Sequence, residues 1–174
     1  RKNFSAKYRV DYSQLYHNKY FTDYDAKELG NRMEVRYYLS QKVRIIFSYN
    51  YTISEQIGDN EDFIKKIDAS YESDTYYLSI RLPLHYRDIY FYNNTEFENR
   101  YYSSKFVEDT FHIGRNDKFW THEVNLTLDI TKRIRGKFFY EIKRRFTDSY
   151  YEYVEDEKNY QTYKIGIGFS TNFK

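Results

Sequence analysis

The sequence predicts an all-β fold, an antiparallel, up-and-down transmembrane β-barrel of eight strands. Three observations lead to this prediction: an aromatic content of 22%, a period-two alternation of apolar and polar residues in eight segments, and a regular alternation of short and long connections. The 23 Tyr and 14 Phe residues favour strands over helices. No stretch approaches about 18 consecutive apolar residues, so no transmembrane helix is expected.

The composition sets the domain count and excludes several kinds of site. A chain of 174 residues fits a single domain over 1–174, either whole or a piece of a longer protein. The absence of cysteine excludes disulfides, thiolate metal sites and cysteine nucleophiles. The mean hydropathy of -0.94 resembles that of a soluble protein. Transmembrane strands alternate lipid-facing and lumen-facing residues, however, so this average does not exclude a membrane barrel.

The last segment, Thr162–Phe173, shows the alternation most clearly. Its apolar side chains occupy odd positions, and its even positions are polar or glycine. Since successive side chains of a strand point to opposite faces, this pattern predicts a strand with one apolar and one polar face. An aromatic residue one position from the end is also typical of bacterial outer-membrane barrels.

Seven further segments show the same alternation. They are Asn3–Tyr16, Asn31–Ser40, Val43–Ile53, Ile64–Leu82, Asp88–Ser103, Phe119–Ile130 and Ile134–Phe146. In the fourth segment the apolar phase changes, which predicts either a β-bulge at 73–75 or a hairpin there. The fifth segment has polar residues on both faces and is the weakest candidate for membrane burial.

The connections between these segments alternate in length. The short ones are 41–42, 84–87 and 131–133, and the long ones are 17–30, 54–63, 104–118 and 147–160. Outer-membrane barrels show this pattern, because their periplasmic turns are tight and their outer loops are long. The long connections, taken as 17–30, 54–64, 103–118 and 147–160, hold 15 acidic and 6 basic residues, whereas the whole chain carries +2. The outer loops are therefore predicted to be acidic and the barrel wall basic.

The apolar faces carry aromatic residues near several strand ends, as expected where amphipathic rings meet lipid headgroups. The predicted lipid-facing and girdle residues are Tyr8, Tyr37, Tyr49, Trp120, Tyr140, Ile165, Ile167, Phe169 and Phe173. The alternative is a soluble lipocalin-like binding barrel, whose apolar face points inward. The alternating connection lengths favour the membrane barrel.

The polar faces carry a ladder of basic residues. Its members are Arg9, Arg32, Arg36, Arg135, Lys137, Lys143 and Arg145. Two interpretations remain open at this point: the ladder attracts anions along a lumen, or it forms ion pairs inside the barrel with Asp11, Glu34, Glu123, Asp129 and Glu141. No nucleic-acid partner is expected, because the basic and aromatic residues lie on opposite faces.

No cofactor, metal site or catalytic site is expected. The four His residues lack metal-binding spacing such as H-E-x-x-H. His122, beside Trp120, is the one candidate for a lipid-modifying enzyme, but no Ser and carboxylate partner share its face. The acidic groups at 59–62 and 152–157 could hold Ca²⁺ through oxygen ligands, although such runs are more often solvated loops.

The second half of the chain resembles the C-terminal barrels of bacterial outer-membrane proteins, in particular those behind tetratricopeptide repeats in polysaccharide export and surface-protein assembly. The resemblance is carried by R-N-D at 115–117, T-K-R at 131–133, Y-E-I-K-R-R-F-T-D-S at 140–149, an acidic Tyr-rich loop, and Y-K-I-G-I-G-F-S-T-N-F at 163–173. It covers the chain from about Arg115 onward.

The resemblance implies a location and partners. It implies a non-enzymatic barrel in the bacterial outer membrane, surrounded by outer-membrane lipid and lipopolysaccharide and inserted by the barrel-insertion machinery. It further implies a role as membrane anchor or channel component of an export or surface-assembly machine. Other envelope subunits or an anionic polymer are the expected partners of such a machine.

Overall fold

The computed structural model describes residues 3–16, 25–40, 42–56, 67–84, 89–131 and 133–171. These residues form eight strands and one short helix. The strands are β1 (Phe4–Leu15), β2 (Ala26–Tyr38), β3 (Arg44–Gln56), β4 (Tyr71–Leu84), β5 (Ile89–Tyr102), β6 (Asn116–Asp129), β7 (Ile134–Asp148) and β8 (Tyr160–Thr171), and the helix α1 (Glu152–Lys158) lies between β7 and β8.

The eight strands form one sheet in which every strand pairs with its neighbours in the chain, in the order β1-β2-β3-β4-β5-β6-β7-β8. All seven pairings are antiparallel. The predicted all-β, up-and-down fold of eight strands is therefore confirmed. β1 and β8 are the two ends of this order, and no pairing joins them among the described residues.

The register separates two faces of opposite character. Residues opposite each other in the ladder share a face, and one such row runs through Ala6, Val35, Phe47 and Leu78. The apolar face is exposed, whereas small polar residues on the other face are buried. Examples of the buried set are Ser48, Ser73, Ser79 and Asn125, all 5% exposed or less. This distribution is the reverse of that in a soluble protein.

β2 begins at Ala26, five positions before the predicted start at Asn31, so the first long connection is shorter than expected. The A-K-E-L-G stretch lacks an alternating aliphatic pattern, but it continues the ladder with β1. Leu15 pairs with Ala26, and Asp11 pairs with Gly30. Neighbouring strand backbone, rather than local propensity, makes this stretch a strand.

The predicted bulge and the competing hairpin at 73–75 are both wrong. Ser73, Asp74 and Thr75 each pair with one residue of β3, so the register is continuous. The sequence shows a change of phase in the alternation of apolar and polar residues only when Ile67 and Ala69 are counted as strand residues. Both precede β4, which begins at Tyr71. Gln56 binds their backbone in place of a ladder: its Nε2 donates to Ile67 O at 3.0 Å, and its Oε1 accepts from Ala69 N–H at 2.5 Å.

The other boundaries shift mainly at the long-connection end. The strands there extend into the predicted connections at 54–56, 116–118, 147–148 and 160. The short connections fall at 39–43, 85–88 and 130–133, and the long ones at 16–25, 57–70, 103–115 and 149–159. The alternation of short and long connections is thus kept with revised bounds.

The helix α1 lies in a segment that the sequence predicts to be an acidic loop. Its Val154 is fully buried, and Glu155 Oε1 accepts a hydrogen bond from Ser149 N–H at 2.9 Å. The acidic residues in its first turn and Lys158 in its last turn interact favourably with the helix dipole. Among the described residues, no helix is long and apolar enough to cross a membrane.

Glycine is required at one point of close approach on the polar face. The ring of Phe139 on β7 lies over Gly166 on β8, which are paired residues. A Cβ at position 166 would lie 2.5 Å from Phe139 Cζ, far inside normal contact, whereas a Cβ at Gly168 would meet nothing within 4 Å. Gly166 therefore leaves room for an aromatic side chain that covers the polar face between β7 and β8.

We expect Gly166→Ala to lower the free energy of unfolding by about 1–3 kcal/mol, as overpacking does, because the Phe139 ring must move. Gly168→Ala is the matched control and should have a smaller effect. Equilibrium denaturant unfolding measures both. Adding Phe139→Ala to Gly166→Ala should remove the clash, and a purely additive double variant would contradict the explanation.

Candidate functional site

The predicted lipid-facing residues lie on the exposed apolar face, as placed by the strand register. Tyr8, Tyr49 and Trp120 belong to one row, and Tyr37, Tyr140 and Ile165 belong to another. Ile165, Ile167 and Phe169 on β8 are about 70% exposed. Phe173 lies outside the described residues.

Several tyrosines of this face turn their hydroxyl groups toward polar residues nearer the long connections. Tyr49 donates to Asp74 at 2.5 Å, Tyr51 donates to Glu72 at 2.6 Å, and Tyr8 donates to Asn31 at 2.9 Å. The apolar body of each ring remains on the sheet surface. This arrangement is the one that amphipathic rings adopt at a boundary between apolar and aqueous surroundings.

The basic ladder lies on the opposite, polar face, and its members form ion pairs there. Along single strands the pairs are Arg9–Asp11, Arg32–Glu34, Arg36–Glu34 and Lys143–Glu141; between β6 and β7 they are Arg135–Asp129, Lys137–Glu123 and Arg145–Asp117. All five acids that the sequence offers as partners take part. Of the two interpretations left open above, this arrangement favours the ion-paired interior over an anion-attracting lumen.

A polar groove of about 390 Å³ lies on this face along β1 to β5. Its lining consists of charged residues and small polar residues. The charged ones are Arg9, Asp11, Glu28, Arg32 and Glu96. Gly30 gives it depth, because a Cβ there would be 3.8 Å from Asn50 Oδ1. With positive and negative groups so close together, the groove has no single charge preference.

The best-organised part of the polar face is a carboxylate at the long-connection end. Asp117 is fully buried. Its Oδ2 accepts from Arg145 Nη2 at 2.8 Å and Arg115 Nη2 at 3.1 Å, and its Oδ1 accepts from Thr147 Oγ1 at 2.8 Å. Charge-assisted bonds of this kind are the strong ones. Asp117 thus holds β6, β7 and the residue preceding β6 together.

The connection 103–115 folds over this end of the sheet and is held by a second carboxylate. Asp109 is 4% exposed. Its Oδ2 accepts from Asp68 N–H at 2.8 Å and Ser104 Oγ at 3.2 Å, and its Oδ1 lies 2.8 Å from His112 Nδ1. Burial lowers the pKa of His112, and the hydrogen bond to Asp109 opposes this lowering. The connection is therefore an ordered cap.

The helix α1 completes the cap from the other side. The rings of Phe111 and Tyr153 pack edge to face with centroids 5.9 Å apart, and the Tyr153 hydroxyl bonds to Thr110. Gly114 has a φ of +62°, the left-handed region that favours glycine. Between this cap and the sheet lies a cavity of about 780 Å³.

The sequence did not identify this cavity. Of its lining, the basic ladder includes Arg145 alone, and Arg115 enters only through the R-N-D stretch at 115–117. The available signal was the spacing of two residues between Arg115 and Asp117. In an extended segment this spacing places both side chains on the same face, where they can form an ion pair. The alternation of apolar and polar residues does not predict which residues of 103–115 fold back over that face.

His122 is the one catalytic candidate from the sequence, and it lies on the exposed apolar face. Its ring stacks on Trp120 with centroids 5.7 Å apart, and its Nδ1 is 2.9 Å from Thr95 Oγ1. Within the described part of the chain, neither a serine hydroxyl nor a carboxylate bonds to it. Among these residues the Thr95 hydroxyl is therefore the one potential nucleophile in contact with His122, and no carboxylate orients the ring as in a catalytic triad.

The acidic runs do not assemble into a metal site among the residues that the structure describes. Glu155 and Glu157 on α1 instead bind Ser149 N–H and Lys158 Nζ. The run at 59–62 lies outside the described residues. Comparison of the chain with protein-family models, with curated proteins and with solved structures found no match.

We expect Asp117→Asn to destabilise the fold by about 3–5 kcal/mol, the cost of removing one partner from a buried ion pair. The reason is that Arg115, only 5% exposed, would lose its carboxylate. Asp129→Asn, which breaks the solvent-exposed pair with Arg135, is the matched control. Its effect on unfolding should be much smaller, and equal losses would contradict the central role of Asp117.

The cap should loosen in acid. Since the pKa of His112 is lowered in the fold, the unfolded loop binds the proton more readily, with an ordinary pKa of about 6.5. Stability is therefore fully present above that pH and decreases as the pH falls through it towards the folded pKa. Hydrogen exchange of residues 103–115, corrected for intrinsic rates, measures this. His112→Gln should make the protection of residues 103–115 less dependent on pH. Stronger protection of these residues at acidic pH would contradict the prediction.

Proposed function

We propose that the chain is an integral β-barrel protein of the bacterial outer membrane, serving as membrane anchor or channel component of an export or surface-assembly machine. One observation carries the proposal: the apolar face of the sheet is exposed, and the polar face is buried at several positions of its middle strands. Leu, Ile, Phe and Tyr side chains remain exposed on every strand, while serine, asparagine and aspartate are buried.

Water is an unfavourable surrounding for such a sheet. Each Å² of apolar surface left in water forgoes about 25 cal/mol, and a soluble monomer rarely exposes a continuous apolar patch beyond a few hundred Å². On β8 alone, Tyr163, Ile165, Ile167 and Phe169 form an unbroken exposed row. Hydrocarbon around this face would remove the penalty. A lipocalin-like barrel needs the opposite placement, with the apolar face enclosed.

The backbone also suits a bilayer. In hydrocarbon every N–H and C=O group needs a protein partner, which helices and fully paired strands provide. The seven ladders pair their residues one to one without a bulge. The outer edges of β1 and β8 lack a partner among the described residues, so a place in the bilayer requires these two edges to pair with each other or with another strand. Strands of 12 to 15 residues exceed the roughly 9–11 residues needed to cross the hydrocarbon core at a tilt.

The two ends of the sheet support an orientation. The short connections would face the periplasm, and the long connections with their cap would face outward, among lipopolysaccharide and any envelope partner subunit. The barrel-insertion machinery is the expected assembly partner. Since the polar face is largely ion-paired, transport of an anionic polymer along it would rely on contacts at the capped end rather than on a continuous basic surface.

Site-directed spin labels test the membrane location. The chain has no cysteine, so single cysteines give unique label positions in protein reconstituted into vesicles. At Leu126 and Ile165, on the apolar face, we expect access to oxygen and protection from a water-soluble nickel reagent. Their neighbours Thr127 and Lys164, on the polar face, should show the reverse.

Two results would contradict the membrane proposal. One is equal nickel access at all four positions. The other is a protein that stays soluble without detergent while Leu126 and Ile165 are protected from both reagents, because that combination describes an inward-facing apolar surface.

A further inference from the structure

Two arginines lie directly opposite each other near the short-connection end of the polar face. Arg44 on β3 pairs with Arg81 on β4 in the ladder, and they share this face with the buried Ser48 and Ser79. Side chains of directly opposed strand residues start only about 5 Å apart, and like charges in such positions destabilise a sheet. Both arginines are half-buried. The ladder thus brings two positive charges together at one point.

Neither arginine has a carboxylate that balances its charge. Among the described residues, Arg44 and Arg81 form no ion pair. The Nε of Arg81 is in addition buried without a hydrogen-bond partner. A buried donor without a partner is costly. A negatively charged acceptor between the two strands would relieve both the repulsion and the unpaired donor.

Positive charge is in excess over the whole short-connection half of the polar face. This half extends from the ladder row that joins Lys7 to Thr162 down to the strand ends. Its described strand residues include eight basic and five acidic ones. The basic residues are Lys7, Arg36, Arg44, Arg81, Arg135, Lys137, Lys143 and Lys164, and the acidic residues are Glu34, Glu96, Glu123, Asp129 and Glu141.

The five acids do not neutralise the two arginines. Four of them already form ion pairs with other basic residues of the same half. Glu96, the fifth, lies opposite Tyr77, which is four residues, or about 13 Å, from Arg81 along β4. Lys7 and Lys164 lie on the terminal strands β1 and β8. The uncompensated charge of the middle strands is therefore that of Arg44 and Arg81.

Tyrosine rings hold the Arg81 guanidinium in place. Its Cζ lies 4.3 Å from the centroid of the Tyr90 ring and 5.6 Å from that of the Tyr92 ring, and Tyr92 is also its ladder partner on β5. A guanidinium that stacks on a ring keeps the N–H donors at its edge free for an anion. Because the group is already ordered, it loses little entropy on binding.

The geometry limits what kind of anion fits. A carboxylate has two oxygens and matches a single guanidinium fork. Two guanidinium groups on adjacent strands instead suit a phosphate group, which has at least three free oxygens and a charge of about -1.5 to -2 at pH 7. The site lies on the polar face of middle strands, and the apolar face lies on the other side of the sheet. A water-soluble anion therefore fits better than the headgroup of a surrounding lipid.

We infer that Arg44 and Arg81 form a binding site for the phosphate group of a water-soluble molecule, either inorganic phosphate or a phosphate monoester. Two of the phosphate oxygens accept hydrogen bonds from Arg81, and a third accepts from Arg44. This site goes beyond the proposed membrane role and does not depend on it, because the β3–β4 ladder alone brings the two arginines together.

Isothermal titration calorimetry on the full chain in detergent, at constant ionic strength, tests this inference with inorganic phosphate, glycerol 3-phosphate and acetate. At least one of the two phosphates should bind, and acetate should bind much more weakly. Arg81→Gln should weaken phosphate binding by roughly tenfold or more, as expected for a lost charge-assisted hydrogen bond. Arg9→Gln makes the same change of charge at an exposed, ion-paired arginine of the polar face and should leave binding unchanged.

A second variant protects the test against misfolding. Arg44→Gln removes the repulsion without breaking an ion pair, so in phosphate-free buffer it should not lower the free energy of unfolding. Phosphate should raise the free energy of unfolding of the unaltered protein, as any ligand of the folded state does, and should raise that of Arg44→Gln much less.

Three results would overturn the phosphate site. They are the absence of binding of either phosphate to the unaltered protein, acetate binding as tight as phosphate binding, and equal weakening by Arg9→Gln and Arg81→Gln. Phosphate binding by a chain whose spin labels show no lipid contact would overturn the membrane role alone.

Discussion

Ion pairing at a spacing of two residues is the interaction on which the polar face depends. Because side chains at positions i and i+2 of a strand share a face, Arg9 reaches Asp11, Arg36 reaches Glu34, and Arg115 reaches Asp117 without any loop or helix to bring them together. The period that separates apolar from polar residues therefore also brings these charges to their partners, whereas Arg135, Lys137 and Arg145 reach theirs across the β6–β7 ladder. An exposed pair of this kind contributes little stability. At Asp117, where the connection 103–115 and α1 cover the polar face, the pairs with Arg115 and Arg145 are buried, and losing one partner is costly.

The same period explains which features could be predicted from the sequence. Strands β1, β3 and β7 alternate clearly, so their existence and their faces were predictable. The same period placed the ion-pairing acids Asp11, Glu34, Glu123, Asp129 and Glu141 on the polar face. Ala26–Gly30 was missed because its strand character comes from pairing with β1. The false bulge in β4 arose because Ile67 and Ala69 resemble strand residues, whereas the side chain of Gln56 binds their backbone. Both causes, the pairing with β1 and the hydrogen bonds of Gln56, are contacts between distant parts of the chain, and a local sequence pattern does not predict such contacts.

The capped end was beyond prediction for a related reason. Its stability comes from single contacts between distant segments: Asp109 with Asp68, Tyr153 with Thr110, and Asn159 Oδ1 with Thr147 N–H. None of these pairs has a periodic signature. The cavity and its arginines exist because the connection 103–115 and α1 fold back together over the ends of β5, β6 and β7. Sequence reasoning placed Arg145 in the basic ladder, but it could not place Arg100 and Arg115 beside it at one site.

The two terminal strands of the sheet have a consequence for how such a chain can be made. Each of β1 and β8 presents one row of backbone groups without a partner strand among the described residues, beside an exposed apolar face. In water, an edge of this kind is a template for another chain, and the first encounter of two copies would lead to aggregation. The interval between synthesis and burial is therefore the vulnerable period of this protein, and its yield will depend on how quickly those edges and that face are covered.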